Sequence, residues 1–184
     1  MNEMKRLASF VRRAVDDYNL IEEGDRIAVG VSGGKDSMIL AKCMELLQRH
    51  SEVPFELKYI VMDPGYNPRN RKKIEDNAKL LNIPITVFES PIFNSVVEIE
   101  DNPCYLCARM RRGYLYKNAQ DLGCNKIALG HHLDDAIETF YMNLWNEGRI
   151  GTFSPVTYLS IKDLTMIRPF VLAIEQDVVR AIHE

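Results

Sequence analysis

No stretch of this sequence is apolar for long enough to cross a bilayer, and no short apolar run near its start reads as a secretory leader. The expectation is therefore a cytoplasmic chain with no membrane partner. Cysteine is scarce, with four in 184 residues: Cys43, Cys104, Cys107 and Cys124. In a reducing compartment four cysteines argue against a disulfide framework and leave the close pair, Cys104 and Cys107, to metal or redox chemistry. Positive charge is not in excess either. A net charge of −3 rules out an all-over basic nucleic-acid binder. Local basic clusters remain at Lys5, Arg6, Arg12 and Arg13, at Arg69, Arg71, Lys72 and Lys73, and at Arg109, Arg111 and Arg112. Taken singly, each reads as a solvated face. With 46% hydrophobic residues, 184 residues suffice for one well-buried domain and not for two full ones.

What the chain does have is Val29-Gly30-Val31-Ser32-Gly33-Gly34-Lys35-Asp36-Ser37. Arg26 to Val31 reads as a buried parallel strand, and Met38 to Leu47 as a helix beginning directly after the glycines. A helix start offers unpaired N–H groups and the positive end of the helix dipole, which suits phosphate oxygens. Gly33 and Gly34 allow the close approach, Lys35 adds a point charge, and Ser32 and Ser37 add hydroxyl donors. Asp36 would be repelled by phosphates unless a cation lay between them, so it is assigned to Mg²⁺. This is not the common nucleotide P-loop, whose first Gly and final Ser or Thr are replaced here by Val29 and Asp36. Beside such a loop, three basic clusters favour an RNA partner.

The remainder falls into alternating segments. Leu7, Phe10, Val11, Ala14, Val15 and Tyr18 recur at helical spacing, so residues 1–24 are expected to form an amphipathic N-terminal helix set before a domain spanning 25–184. Arg12 and Arg13 on its far side are either solvated or set against RNA phosphates. Phe55 to Met62 is a second strand ending in Asp63-Pro64-Gly65, which places Met62 and Asp63 to line an adenosine pocket; strand end and turn is the other reading of Asp63. A helix from Pro68 to Leu81 and a strand from Ile85 to Phe88 follow, then an irregular segment, Glu89 to Asn102, expected to be mobile and near the site.

A helix from Pro103 to about Leu122 opens with Cys104-Tyr105-Leu106-Cys107 and carries Arg109, Arg111 and Arg112. Cysteines three apart at a helix start share a face, and the helix terminus and arginines favour their thiolates. Metal or sulfur chemistry is expected over a structural zinc half-site or idle thiols. Cys43, in an apolar helix, and Cys124, in a turn, are assigned to packing. Lys126 to Gly130 is another buried strand, running into His131-His132-Leu133-Asp134-Asp135 at a helix start. Gly130 and His131 are expected in the nucleotide pocket; Asp134 and Asp135 hold a cation or substrate, or merely cap the helix. That helix is expected to bury Ile137, Phe140, Tyr141, Leu144 and Trp145. Glu147 to Pro155, with Gly148, Arg149 and Gly151, suits a loop that closes over substrate. Short strands at Val156–Leu159 and Leu164–Ile167 precede a helix starting near Glu175, whose pattern is uncapped at Glu184, so the natural domain is expected to extend further.

Ser32-Gly33-Gly34-Lys35-Asp36-Ser37 resembles the pyrophosphate-binding loop of the N-type ATP pyrophosphatases, the PP-loop family. Cys104-Tyr105-Leu106-Cys107, Arg111-Arg112-Gly113, Ala128-Leu129-Gly130-His131-His132-Leu133-Asp134-Asp135 and Ile167-Arg168-Pro169 narrow the likeness to its tRNA 2-thiocytidine synthetase branch, from Asn19 to the end. The resemblance implies an α/β fold of the adenine nucleotide alpha hydrolase type: a doubly wound, five-stranded, mainly parallel sheet in the order 3-2-1-4-5. It implies ATP held by Val31, Ser32, Gly33, Gly34, Lys35, Asp36, Ser37, Met62, Asp63, Gly130 and His131, with Mg²⁺ at Asp36. Catalysis would involve Lys35, Asp36, Cys104, Cys107, Asp134 and Asp135, and tRNA contact Arg12, Arg13, Arg109, Arg111, Arg112 and Arg149. Cys104 and Cys107 would be two ligands of a [4Fe–4S] cluster in preference to zinc, although the family's third cysteine further along has no counterpart here. A sulfur donor such as a cysteine desulfurase and a homodimer are also implied. Three other readings stand beside this one: 2-thiouridine synthesis, which usually brings an N-terminal Cys/His zinc motif absent here; another adenylating or amidating synthetase, which generally lacks the Cys pair; and a nucleotide- or metal-responsive binding module without turnover.

Overall fold

The structure of the chain, a computed structural model, describes residues 2–90, 92 and 103–183, with side chains from Leu106 onward in the last stretch. The segment expected to be irregular, from Glu89 to Asn102, lies almost wholly outside the described residues, as does the side chain of Cys104.

Helix α1 (Glu3–Tyr18) starts where the Asn2 side chain accepts from the Lys5 N–H at 3.1 Å, and stops at Asn19 in the left-handed conformation. It buries Leu7, Val11 and Ala14, and so packs into the same core as the rest of the chain. β1 (Arg26–Gly30), β2 (Glu56–Asp63) and β3 (Ile85–Glu89) alternate with α2 (Lys35–His50) and α3 (Pro68–Leu80). Then come α4 (Pro103–Asp121), β4 (Lys126–Ala128), α5 (Leu133–Glu147), β5 (Val156–Leu159), β6 (Leu164–Ile167) and α6 (Glu175–Ile182). Helix α2 begins at Lys35, three residues before the expected Met38, because nothing after Gly34 interrupts helical geometry. Lys35, Asp36 and Ser37 are therefore the first turn itself.

The sheet runs β3-β2-β1-β4-β6-β5, and every neighbouring pair is parallel except β5 with β6. The expected five strands are corrected to six. β6 takes the fifth position beside β4, and β5 is added outside it. β5 reaches β6 through a tight turn, with Lys162 N–H donating to the Leu159 carbonyl at 2.9 Å, and strands joined so tightly must run antiparallel.

One face of the sheet is covered by α1, α2 and α6, with Leu7, Leu40, Met44, Phe170 and Val178 in the core; the other is covered by α4, with Ala119 against Ile60, Ile127 and Leu164. Each fully buried Leu, Ile or Phe contributes about 1.5–3 kcal/mol. Helix α5 does not behave as expected. Ile137, Tyr141, Leu144 and Trp145 are exposed, Trp145 at 83%, and Ala136 is its buried residue. Its apolar stripe faces away from the core. Among the described residues no helix is long and apolar enough to cross a membrane.

The chain winds outward from β1 to β3, then returns to β4 on the other side of β1. The switch point between β1 and β4 opens a crevice beyond the carboxyl ends of the strands, where a ligand is accommodated in sheets of this kind.

Candidate nucleotide site

The crevice is occupied by the glycine loop. Val31 N–H donates to the Ile60 carbonyl at 2.8 Å, which carries the chain straight off β1. Ser37 then closes the loop from inside: its Oγ accepts from the Ser32 N–H at 3.0 Å, donates to the Gly34 carbonyl at 3.0 Å and lies 3.1 Å from Ser32 Oγ. Gly33 has φ +85°, and a Cβ there would stand 2.5 Å from Ile74 Cγ1 of α3. Only glycine fits. Gly130, at the end of β4, crosses the first turn of α2 so closely that a Cβ would meet the Asp36 backbone at 3.2 Å. The two motifs are thus pressed together by backbone.

A cleft of about 530 Å³ lies over the loop. Its walls are Gly30, Val31, Ser32, Gly34, Asp36 and Ser37 from the loop, Met62 from β2, Ala108, Arg111, Arg112 and Leu115 from α4, and Leu129, Gly130, His131 and Asp135 from the β4–α5 turn. A cavity of about 590 Å³ at the opposite end of the sheet is lined by residues that include Arg12, His50 and Phe55 and by none of the glycine loop. Of the arginines assigned to RNA, the structure brings Arg111 and Arg112 to the cleft; Arg12 and Arg13 lie toward that far end, Arg109 is exposed on α4, and Arg149 pairs with Glu147 at 3.5 Å. Arg111 donates to the Tyr66 hydroxyl at 2.8 Å.

Lys35 holds its ammonium 2.7 Å from Glu175 Oε1 and 3.1 Å from Asp36 Oδ2. The bond to Glu175, more than that to Asp36, raises the Lys35 pKa. The other Asp36 oxygen, Oδ1, is buried without a hydrogen-bond partner, 4.0 Å from His132 Nε2. His132 is itself buried, with Nδ1 3.3 Å from Asp135 Oδ2 and 3.5 Å from Asp134 Oδ2.

The paired carboxylates have separate employments. Asp135 Oδ2 accepts from the His132 N–H at 2.8 Å, capping α5, and its side chain lines the cleft. Asp134 Oδ2 accepts from the Glu175 N–H at 2.6 Å and so fixes the start of α6. Asp63 Oδ1 is taken by the N–H groups of Gly65 and Tyr66, at 2.8 and 2.6 Å, while Oδ2 lies 3.7 Å from Arg71, so this carboxylate shapes the turn after β2. Beyond His131, Phe153 lies with ring centroids 5.5 Å apart, and the Arg168 guanidinium lies 4.6 Å over Phe153. Arg168 donates to the Ser154 carbonyl at 2.5 Å and to Thr157 Oγ1 at 3.0 Å, while its buried Nε has no partner. Burial, helped by Arg168, pushes the His131 imidazole below its ordinary pKa.

Cys107 is half-buried on α4 near Met62 and Ile92. Cys43 lies under α2, 3.8 Å from Met4 Sδ, its thiol pushed up to about 12 by burial. Cys124 is buried near Arg26 at the amino end of the strands. Among the described residues no three His, Cys, Asp or Glu side chains converge on a metal position. Three contributors went unassigned in the sequence. His132 was legible in its motif, Arg168 only as part of Ile167-Arg168-Pro169, and Glu175 carried no signal beyond marking a helix start.

A loop of small residues and hydroxyls at the switch point of a doubly wound sheet, with a lysine and a buried free carboxylate oxygen at its lip, defines a nucleotide-binding α/β protein. Residues 4–183 match the PP-loop domain family, and the chain belongs to it. The relatives named tRNA-cytidine(32) 2-sulfurtransferase include that of Pelobacter propionicus, 40% identical over 178 residues, covering 95% of this chain and 66% of the relative. That of Geotalea daltonii is 38% identical over 179 residues, covering 96% and 71%. The chain thus spans about two thirds of these relatives' length. Among solved structures, the U34-tRNA thiolase NcsA from Methanococcus maripaludis with its [4Fe-4S] cluster has a TM-score of 0.76 at 22% identity, covering 98% of this chain and 62% of that one. NAD+ synthetase from Burkholderia pseudomallei has a TM-score of 0.59 at 13% identity, covering 98% and 65%. At these identities the two structures speak for the fold.

Proposed function

We propose that this chain is the ATP-using part of a tRNA thiolase that replaces the C2 oxygen of a cytidine with sulfur. The observation that carries the reading is the meeting, in one cleft, of the phosphate loop, the arginines of the helix that bears Cys104 and Cys107, and the His131–Asp135 turn. The names of the relatives supply the substrate class.

ATP lies with its phosphates on the N–H groups of the first turn of α2, assisted by Ser32, and its adenosine toward Met62; Lys35, on the same turn but outside the cleft lining, reaches the phosphates with its flexible stem. The buried, unpartnered Asp36 Oδ1 suits a cation, and Mg²⁺ there neutralises phosphate charge when bound. The cytidine C2 oxygen attacks the α-phosphorus, pyrophosphate leaves, and the cytidine is adenylated at that oxygen. A sulfur nucleophile then forms the C2–S bond as the C2–O bond to AMP breaks. Positioning and charge neutralisation are the main contributions of the protein. Arg111 and Arg112 lie where phosphates of an RNA strand would enter.

The fit to an iron–sulfur cluster is incomplete in this sequence. Cys104 and Cys107, three positions apart in the sequence of α4, would supply two thiolates, whereas a cluster needs at least three ligands, and Cys43 and Cys124 are buried elsewhere. In this reading sulfur comes from a separate donor protein, such as a cysteine desulfurase, and the enzyme works in the cytoplasm, as a homodimer.

The test is nucleoside analysis by mass spectrometry of total tRNA from a strain deleted for the gene, beside its parent and a strain complemented with Asp36→Ala. Loss of 2-thiocytidine alone in the deletion, not restored by Asp36→Ala, is expected. Unchanged 2-thiocytidine overturns the assignment.

A further inference from the structure

Glu175 enters the site from 140 residues further along the chain than Lys35. Its carboxylate Oε1 is 2.7 Å from Lys35 Nζ, and its backbone N–H is held by Asp134 at 2.6 Å. The helix it begins is seated firmly: Val178 and Ala181 are in the core, and the buried Asp177 accepts from the Ile174 N–H at 3.3 Å and lies 3.5 Å from Arg6 of α1. One end of the Glu175–Lys35 bond is therefore anchored to the body of the protein and to the His131–Asp135 turn.

A lysine ammonium has three donors on a flexible stem. Here one donor goes to Glu175 and one to Asp36, 3.1 Å away, which leaves the third for a ligand. Without Glu175 the ammonium has, among the described residues, Asp36 as its acidic partner, and its ionic pairing would fall wholly on the carboxylate needed by the cation. We propose that Glu175 is a positioning residue for nucleotide binding, sharing the Lys35 ammonium with Asp36 and fixing where it stands on the first turn of α2, so that its remaining donor meets the ATP phosphates. The inference rests on the nucleotide reading of the loop and goes beyond it by adding a residue outside every motif of the sequence. Both side chains are partly exposed, so the pair adds little to the stability of the fold, and its effect should be read in ligand affinity.

The experiment is calorimetric titration of the full chain with Mg·ATP and, separately, with adenosine, for the parent, Glu175→Ala, Glu175→Gln, Lys35→Met and Lys35→Met/Glu175→Ala. Glu175→Ala is expected to weaken Mg·ATP by about fivefold, the equivalent of roughly 1 kcal/mol. Adenosine, which has no phosphates, should bind as before. Glu175→Gln, which keeps the acceptor oxygen, should stay within about twofold of the parent. In the Lys35→Met background the alanine substitution should have no further effect. Unchanged or tighter Mg·ATP binding by Glu175→Ala overturns the proposal, as does an equal loss for adenosine or an undiminished loss in the Lys35→Met background. A parent that binds neither ATP nor adenosine overturns the nucleotide reading itself, and the role of Glu175 with it.

Discussion

The thiol of Cys43, buried and pushed up to about 12, has neither the access nor the charge state for reaction, whereas Cys107 is half-open on α4. Alkylation of the native chain with iodoacetamide at pH 8, followed by peptide mass spectrometry, should label Cys107 and spare Cys43 until denaturant is added. His131 offers a second test. Its folded pKa is depressed, chiefly by burial, so the unfolded chain takes up a proton that the folded chain refuses. This residue leaves stability unaffected above its ordinary value of about 6.5 and subtracts from it as pH falls from there through the folded value. An NMR titration of the imidazole should find its midpoint below the ordinary value of about 6.5, and His131→Phe should flatten the acid side of the stability curve. Residue roles were the least legible part of the sequence. Asp134 and Asp135 are adjacent in one motif, yet one serves the cleft and the other a helix start forty-one residues away. Neighbours on a helix point in different directions, and what each meets is decided by the tertiary fold.

At the scale of elements the strand, loop and helix around Gly33 were legible apart from the helix start, which lies three residues earlier than expected, because turn chemistry and apolar run agree with one another. Gly33→Ala should cost about 1–2 kcal/mol for the left-handed backbone alone, with the Ile74 clash in addition, and should abolish measurable ATP binding. Pairing it with Ile74→Ala should recover the clash but not the backbone penalty, which thermal unfolding of the two variants would separate. Helix α5 shows where periodicity misleads. A 3.6-residue apolar stripe reports that a face is apolar and says nothing of what covers it. With Trp145, the chain's one tryptophan, exposed at 83%, iodide should quench its fluorescence nearly as well as that of free tryptophan. Strong protection would mean that the α5 face is covered in solution. The edge hairpin was misjudged for a related reason: two four-residue strands were visible, but their place in the sheet depends on pairing that short segments do not specify.

The molecule as a whole keeps its chemistry at one end of the sheet and its strongest polar tie at the other. Lys126, buried at the start of β4, places its ammonium 2.7 Å from Asp25 Oδ2, 3.1 Å from the Leu20 carbonyl and 3.3 Å from Glu22, while Asn125 donates to Asp25 Oδ1 at 2.7 Å. Asp25→Ala leaves that ammonium buried without its principal partner, which costs about 3–5 kcal/mol. Urea unfolding should show the loss in full. The Kd for Mg·ATP in the folded state should not move, since the substitution lies a strand's length from the loop. The doubly wound topology was legible from the alternation of segments, and the partition of labour between the two ends was not, because Asp25 and Lys126 are about a hundred positions apart.

That partition has a practical side for anyone who wishes to redesign the protein. A Cβ at Gly33 would clash with Ile74 and one at Gly130 would press on the Asp36 backbone, so substitutions at these two positions at the carboxyl ends of the strands disturb the site directly. The amino ends present ordinary loops around a self-contained ionic knot. Thermostabilising changes, affinity tags and circularly permuted termini belong at that end, where a builder can work without touching the hearth.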